Sequence, residues 1–226
     1  MAPVIIAIDG PAGSGKSSVS KQAAREKNFG YLDTGAAYRA LAWASLNLDG
    51  FDLEELQTKD LNSEFDYSIS IDPDDYWVKV GQADITQAIR EPQIAEFVSQ
   101  IARIPAVRTF MKSLTHRIVA ESGRIGVIVE GRDITTVVAP DAPVRILLTA
   151  NEAVRLKRRS AELSESAAAS VVRQVTERDA SDSKVVDFMT PAPGVQLVDS
   201  SDLNFAQTVE AVIALVEQKN PKESND

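Results

Sequence analysis

The chain contains no cysteine and a single histidine, His116. Disulfides and thiolate zinc sites are therefore excluded, and so is any multi-histidine metal centre. A Ser-His-Asp triad would have to be built on that one imidazole. Positive charge is also scarce: 24 lysines and arginines face 33 aspartates and glutamates, for a formal net charge of -9. Nonspecific binding to nucleic acid polymers or to an anionic membrane usually needs a basic face, so neither is expected as a partner. No apolar run reaches membrane-spanning length. The N-terminal "MAPVIIAIDG" lacks a charged n-region and leads straight into a strand-like run, so it does not read as a signal peptide, and a cytoplasmic location is expected. The acidic average leaves small phosphate ligands open, because these need only a local cluster of cations.

What is present suits a soluble globular protein: 226 residues, 44% hydrophobic and 25% charged. That length predicts one core with an insertion. "VIIAI" (Val4 to Ile8) is a short β-branched run of the kind buried on both faces of a parallel sheet. "GVIVEGRD" (Gly126 to Asp133), "VRILLTA" (Val144 to Ala150) and "VQLVDSS" (Val195 to Ser201) repeat the pattern, with polar residues at their C-terminal ends. Helices are predicted over 17–27, 36–48, 93–122 with a break near Pro105, 151 to about 182, and 205–217. Tyr38, Leu41 and Leu48 are candidates for the buried face of the second. "GYLDTG" (Gly30 to Gly35) reads as a short strand ending in a turn. Residues 65–85 differ from their surroundings: "YSISI", the turn signal "PDD" and "YWVKV" predict an antiparallel hairpin. The fold class is therefore α/β, a central parallel sheet flanked by helices with a small antiparallel insertion. The expected divisions are 1–62, an insertion at 63–92, and a core continuation at 93–226.

Between the first strand and the first helix lies "GPAGSGKS" (Gly10 to Ser17), a full match to G-x-x-x-x-G-K-[ST]. Gly10, Gly13 and Gly15 allow backbone N–H groups to turn inward around phosphate oxygens, and the helix that follows points its positive end at the same anion. Gly10, Pro11, Ala12, Gly13, Ser14, Gly15, Lys16, Ser17 and Ser18 are the expected ATP-binding residues. Lys16 suits the β- and γ-phosphates, and the Ser17 hydroxyl suits Mg²⁺. Glu130, at the end of an apolar strand, is the expected second metal-side residue, either holding Mg²⁺ through water or capping an arginine. The loop alone does not choose between a kinase, a GTPase switch and a motor ATPase. No N-K-x-D-like guanine reader follows, so the second substrate must decide.

"LDTGAAYR" (Leu32 to Arg39) and "EGRD" (Glu130 to Asp133) follow two strands predicted to open on the same sheet edge as the phosphate loop. Arg39 and Arg132 are forked cations suited to a phosphate monoester. Thr34 suits a sugar hydroxyl, and Asp133 can accept a hydrogen from a ring amino group. Together with "IDGPAGSGKS", "SQIARIPAVR", "VEGRDITTVVAPDAPVRILLTA" and "ERDASDS", these stretches resemble the bacterial cytidylate kinases from end to end.

The resemblance implies a P-loop NTPase core, a nucleoside-monophosphate-binding role for the β insertion, and a helical lid at about 151–182. It implies that Ser99, Arg108 and Asp133 read cytosine, that Thr34, Arg178 and Asp182 lie near the ribose, and that Arg39 and Arg132 hold the acceptor phosphate. Arg155, Arg158 and Arg159 in "RLKRRSAEL" look like lid cations that act with Lys16 on the transferred phosphoryl group. ATP and Mg²⁺ are then the cofactors, CMP and dCMP the acceptors, and the protein a monomer. His116 reads as a plain helix residue, and Trp43 and Trp77 as packing residues. One departure stands out: family members commonly carry a further arginine seven residues beyond Arg178, where this chain has Val185, with Lys184 the nearest cation. Two rivals remain open at this point: a small-metabolite kinase of shikimate type, which needs no base readers, and a nucleotide-driven switch.

Overall fold

The computed structural model describes residues 2–161 and 189–219. In chain order its strands and longer helices are β1 (Val4–Asp9), α1 (Lys16–Glu26), β2 (Gly30–Asp33), α2 (Thr34–Asn47), α3 (Leu61–Glu64), β3 (Tyr67–Ile69), β4 (Val78–Val80), β5 (Ala83–Asp84), α4 (Pro92–Ile101), α5 (Pro105–Glu121), β6 (Gly126–Gly131), β7 (Val144–Thr149), α6 (Glu152–Ala161), β8 (Gln196–Asp199) and α7 (Phe205–Lys219). The chain divides into two compact units, Met1–Tyr31 with Arg124–Asp226, and Leu32–Gly123. The boundary at 31/32 falls within β2.

The first unit is built on a five-stranded sheet of order β2-β6-β1-β7-β8. β1 runs parallel to β6 from Val4↔Gly126 to Asp9↔Gly131, and to β7 from Ile6↔Val144 to Asp9↔Leu147. β7 pairs parallel with β8. The three central strands, β6, β1 and β7, are apolar through their middles because both faces are covered there, and Asp9 and Glu130 stand near the C-terminal ends of β1 and β6. Ile6, Ala7, Ile8, Val127, Ile128, Val129, Ile146 and Leu148 are completely buried. Parallel register sends the C-terminal ends of β1, β6, β7 and β8 to one edge, where ligands of open α/β sheets bind. Four segments leave that edge: the loop 10–15, the turn after Gly131, the start of α6 and the loop after Asp199.

The second unit places three short strands, order β3-β4-β5, beside α2, α4 and α5. Its core joins Leu41, Leu56, Phe65, Val78, Ile85, Ile94, Ile101 and Phe110. Phe65 stacks on Tyr67 and meets Phe110 edge-on, with centroids 5.6 and 6.1 Å away. The expected hairpin is thus a three-stranded sheet. A two-residue strand such as β5 is too short to carry periodicity. The break between α4 and α5 falls at Pro105, which sits at the first position of α5, where its missing N–H costs nothing.

Two local expectations change. The turn foreseen after β2 is the start of α2, because Asp33 caps it: its Oδ1 accepts from Ala36 N at 3.2 Å. Leu48 is not on the buried face; the helix ends at Asn47, and Leu48, in extended backbone, is exposed. Alanines 36, 37, 40, 42 and 44 with Leu41 form that face, which allows close helix packing. Tyr38 and Trp43 pack partly buried against the core. Trp77 is half-buried with Lys79 Nζ 4.9 Å from its ring centroid. His116 is exposed on α5. Among the described residues no helix is long and apolar enough to cross a membrane.

Candidate active site

The loop between β1 and α1 follows from its glycines. Gly13 and Gly15 have φ of 74° and 86°, a region in which side chains are strained. Gly10 has an ordinary φ, but a β-carbon there would overlap the Leu148 carbonyl oxygen of β7. Gly15 is the N-cap of α1 and gives it no side-chain cap, and no acidic residue lies in the first turn. The first N–H groups of α1 and its positive end are therefore directed to the loop, an arrangement that receives phosphate. Lys16 begins the helix, half-buried.

The Ser17 hydroxyl donates to Glu130 Oε1 at 2.7 Å. Parallel pairing of Ile8 with Glu130 delivers this carboxylate to the sheet edge, and the residue is 3% exposed. Among the described residues no group of three or more His, Cys, Asp or Glu could hold a metal by itself. A hydroxyl and a carboxylate in contact are hard oxygen donors of the kind Mg²⁺ takes in small number, completing its shell with water and phosphate.

A second link runs from the end of β1 to the turn after β6. Asp9 is 2% exposed. Its Oδ1 accepts from Ile134 N at 2.9 Å, and its Oδ2 from Thr135 N at 2.8 Å and Thr135 Oγ1 at 2.6 Å. Burial raises the Asp9 pKa, opposed by the Thr135 and Ile134 hydrogen bonds and by the Arg132 charge. The turn Asp9 holds is π-helical over Ile134–Val138. Arg132, just before it, donates to the Gly10 carbonyl at 2.6 Å.

Two arginines of α6, Arg155 and Arg158, also reach the phosphate loop. Arg155 is buried and donates to Ala12 O at 3.0 Å. Arg158 donates to Ser14 O at 3.2 Å, to Ser200 Oγ and Ser200 O at 2.9 Å, and to Leu203 O at 3.4 Å. α6 is thereby fastened both to the loop and to the segment after β8.

Comparison with known proteins decides the family. The cytidylate kinase family profile matches residues 6–218. The cytidylate kinase of Cutibacterium acnes is 43% identical over 217 residues, covering 95% of this chain and 96% of that protein. That of Mycobacterium leprae is 40% identical over 227 residues, covering 97% and 98%. That of Streptomyces avermitilis is 38% identical over 218 residues, covering 96% and 94%. The chain belongs to the cytidylate kinase family.

The acceptor-side residues expected from that family fall in three places. Arg132 and Asp133 lie in the first unit, at the turn after β6. Thr34, Arg39, Ser99 and Arg108 lie in the second, on α2, α4 and α5; α2 packs on both other helices. Arg178 and Asp182, with Lys184 and Val185, lie outside the described residues, as does the part of the lid beyond 161. Arg159 is in α6.

Within the second unit Arg39 Nη2 pairs with Asp33 Oδ2 at 2.6 Å, and the Tyr76 hydroxyl reaches the same oxygen at 3.5 Å. Burial, with the Asp33 charge nearby, raises the pKa of both Tyr67 and Tyr76 well above the usual phenol range. Ser99 Oγ donates to Glu96 O at 3.3 Å within its own helix. Gly35 leaves room for the Asp33–Arg39 pair: a β-carbon there would stand 2.9 Å from Arg39 Nη1.

Sequence reasoning passed over Asp9, Thr135, Ser200 and Gly35. An acid ending a buried strand is a visible signal for Asp9. Its partners lie 125 and 126 positions away and had no local mark. Ser200 ends the "VQLVDSS" run, but nothing in the sequence links it to Arg158.

Proposed function

We propose that the protein transfers the γ-phosphoryl group of ATP to CMP, and to dCMP, giving CDP or dCDP and ADP. The observation that carries this reading is a full-length cytidylate kinase match in a chain whose GPAGSGKS loop has its Ser17 hydroxyl on the strand-end carboxylate of Glu130. Residues 10–18 bind the ATP phosphates through backbone N–H groups, and Lys16 follows the charge on the moving group. Ser17 and Glu130 hold Mg²⁺, which when bound neutralises phosphate charge. Arg39 and Arg132 grip the acceptor phosphate. Ser99, Arg108 and Asp133 read the base, and Thr34, Arg178 and Asp182 serve the ribose. No general base is needed, because a phosphate monoester is already an adequate nucleophile near neutral pH.

Arg132 binds the Gly10 carbonyl through Nη1. Arg155 and Arg158 anchor α6 on the phosphate loop, and with Arg159 supply cations near the transferred group. The strands β3 to β5 belong to the insertion at 63–92, which serves the acceptor. The protein works as a cytoplasmic monomer. The full-length family match and the proposed base-reading set favour this over a small-metabolite kinase or a switch. The test is an acceptor panel at fixed ATP and Mg²⁺. ADP should form rapidly with CMP or dCMP and almost not at all with shikimate or without acceptor. Rapid ADP formation without acceptor would overturn the reading.

A further inference from the structure

Asp133 occupies the N-cap position of the π-helical turn Ile134–Val138. An aspartate there ordinarily folds its carboxylate back onto the second or third N–H of the helix. Here it makes no such bond. The N–H groups of the first two residues, Ile134 and Thr135, are taken instead by Asp9. Asp9 also holds the Thr135 hydroxyl. Asp9 thus caps, from β1, a turn whose own cap residue is the aspartate proposed to read cytosine.

We infer that Asp9 is a positioning residue for acceptor specificity: by capping the turn in place of Asp133, it keeps the Asp133 carboxylate directed to the acceptor's ring amino group. This rests on the reading of Asp133 as a base-contacting residue. The physical argument is competition. The Thr135 N–H is the donor that Asp133 would naturally claim, and both it and the Ile134 N–H end on the fully buried Asp9 carboxylate. Substitution of Asp9 by asparagine leaves one acceptor oxygen for the Ile134 and Thr135 N–H groups and sets an amide NH₂ against the other, so the cap from β1 is weakened and Asp133 competes for the turn. Asp133 then turns from the nucleotide to its own backbone. The loop glycines and Lys16 are untouched, so ATP binding is spared.

The test uses full-length Asp9→Asn, Asp133→Ala and the double variant, with steady-state kinetics on CMP and UMP at saturating ATP. UMP carries a ring oxygen where CMP has the amino group. Asp9→Asn is expected to raise the CMP Michaelis constant by roughly tenfold and shrink the CMP-over-UMP preference by a similar factor, the scale of one lost polar base contact. The ATP Michaelis constant should stay within about twofold, and the double variant should be no worse than Asp133→Ala, because coupled residues are not additive. Preserved CMP preference in Asp9→Asn beside its loss in Asp133→Ala would overturn the inference and leave the proposed function standing. So would additive losses, or an equal loss for ATP. An Asp133→Ala enzyme with unchanged preference would overturn the base-reading role and the inference with it. Should Asp9→Asn fail to fold, Thr135→Val, which removes one of the three bonds in a similar shape, must still raise the CMP Michaelis constant and spare ATP, and Thr135→Ser must restore it. No change in Thr135→Val would sink the idea.

Discussion

Ser17 and Glu130, 113 positions apart, meet at 2.7 Å where the phosphate loop turns into its helix. The hydroxyl donates and the buried carboxylate accepts. This pair ties nucleotide binding to the central strand β6. Replacement of Glu130 by glutamine keeps the shape and removes the charge. The Mg²⁺ concentration for half-maximal turnover should rise by on the order of tenfold, a difference of about 1.4 kcal/mol. A Mg²⁺ titration at saturating CMP checks this; an unshifted curve would remove Glu130 from the metal side.

Lys16→Ala should lose at least about nine-tenths of turnover, or about 1.4 kcal/mol of transition-state stabilisation, while the thermal midpoint stays near wild type. The loop glycines and their N–H groups remain, so ground-state nucleotide binding weakens less than catalysis. Turnover above that level would speak against Lys16 acting on the transferred group.

Gly13 and Gly123 both have positive φ, 74° and 66°, but differ in surroundings. A β-carbon at Gly13 would sit 2.6 Å from the Arg155 carbonyl oxygen, whereas one at Gly123 meets nothing within 4 Å. Gly123→Ala should cost only the left-handed strain, about 1–2 kcal/mol. Gly13→Ala adds a clash with backbone and should cost about 3 kcal/mol or more. Urea unfolding of the two variants compares them directly; equal costs would mean that α6 is not held against the loop.

Burial, the largest influence on Asp9, raises its pKa above the ordinary carboxylate value. The native state therefore holds a proton that the unfolded chain has already lost, and this contribution to stability is full below the unfolded pKa and disappears as pH rises through the folded one. Asparagine does not titrate. The stability of Asp9→Asn relative to wild type should therefore improve between about pH 4 and neutrality. Urea midpoints at both pH values measure it; a relative decline over that range would mean that hydrogen bonding, not burial, dominates at Asp9.

The phosphate loop was legible because it is contiguous and its context, buried strand then helix, is contiguous too. The strands β1, β6 and β7 were legible because a parallel sheet covered on both faces demands apolar runs, whereas β8, at the sheet edge with Leu197 exposed, showed only as the short apolar core of "VQLVDSS". The break at Pro105 was legible because proline both ends one helix and opens the next. The links that join these pieces were not. The bonds from Asp9 to Ile134 and Thr135, from Ser17 to Glu130, and from Arg158 to Ser200 depend on strand order and register. Those properties emerge only once distant segments pair. Leu48 misled because helical spacing continued past the true end of α2. The arginines of "RLKRRSAEL" were visible as a cluster, but the hold of Arg155 on the Ala12 carbonyl and of Arg158 on the Ser14 carbonyl was not.

The central claim is that the γ-phosphoryl group passes from ATP to the phosphate of CMP. Phosphorus NMR of the enzyme with ATP, Mg²⁺ and CMP follows that transfer directly. The account predicts that the CMP resonance decays as the paired α and β signals of CDP grow, in step with ADP and with little inorganic phosphate. Growth of inorganic phosphate in step with ADP, with the CMP resonance unchanged, would contradict it.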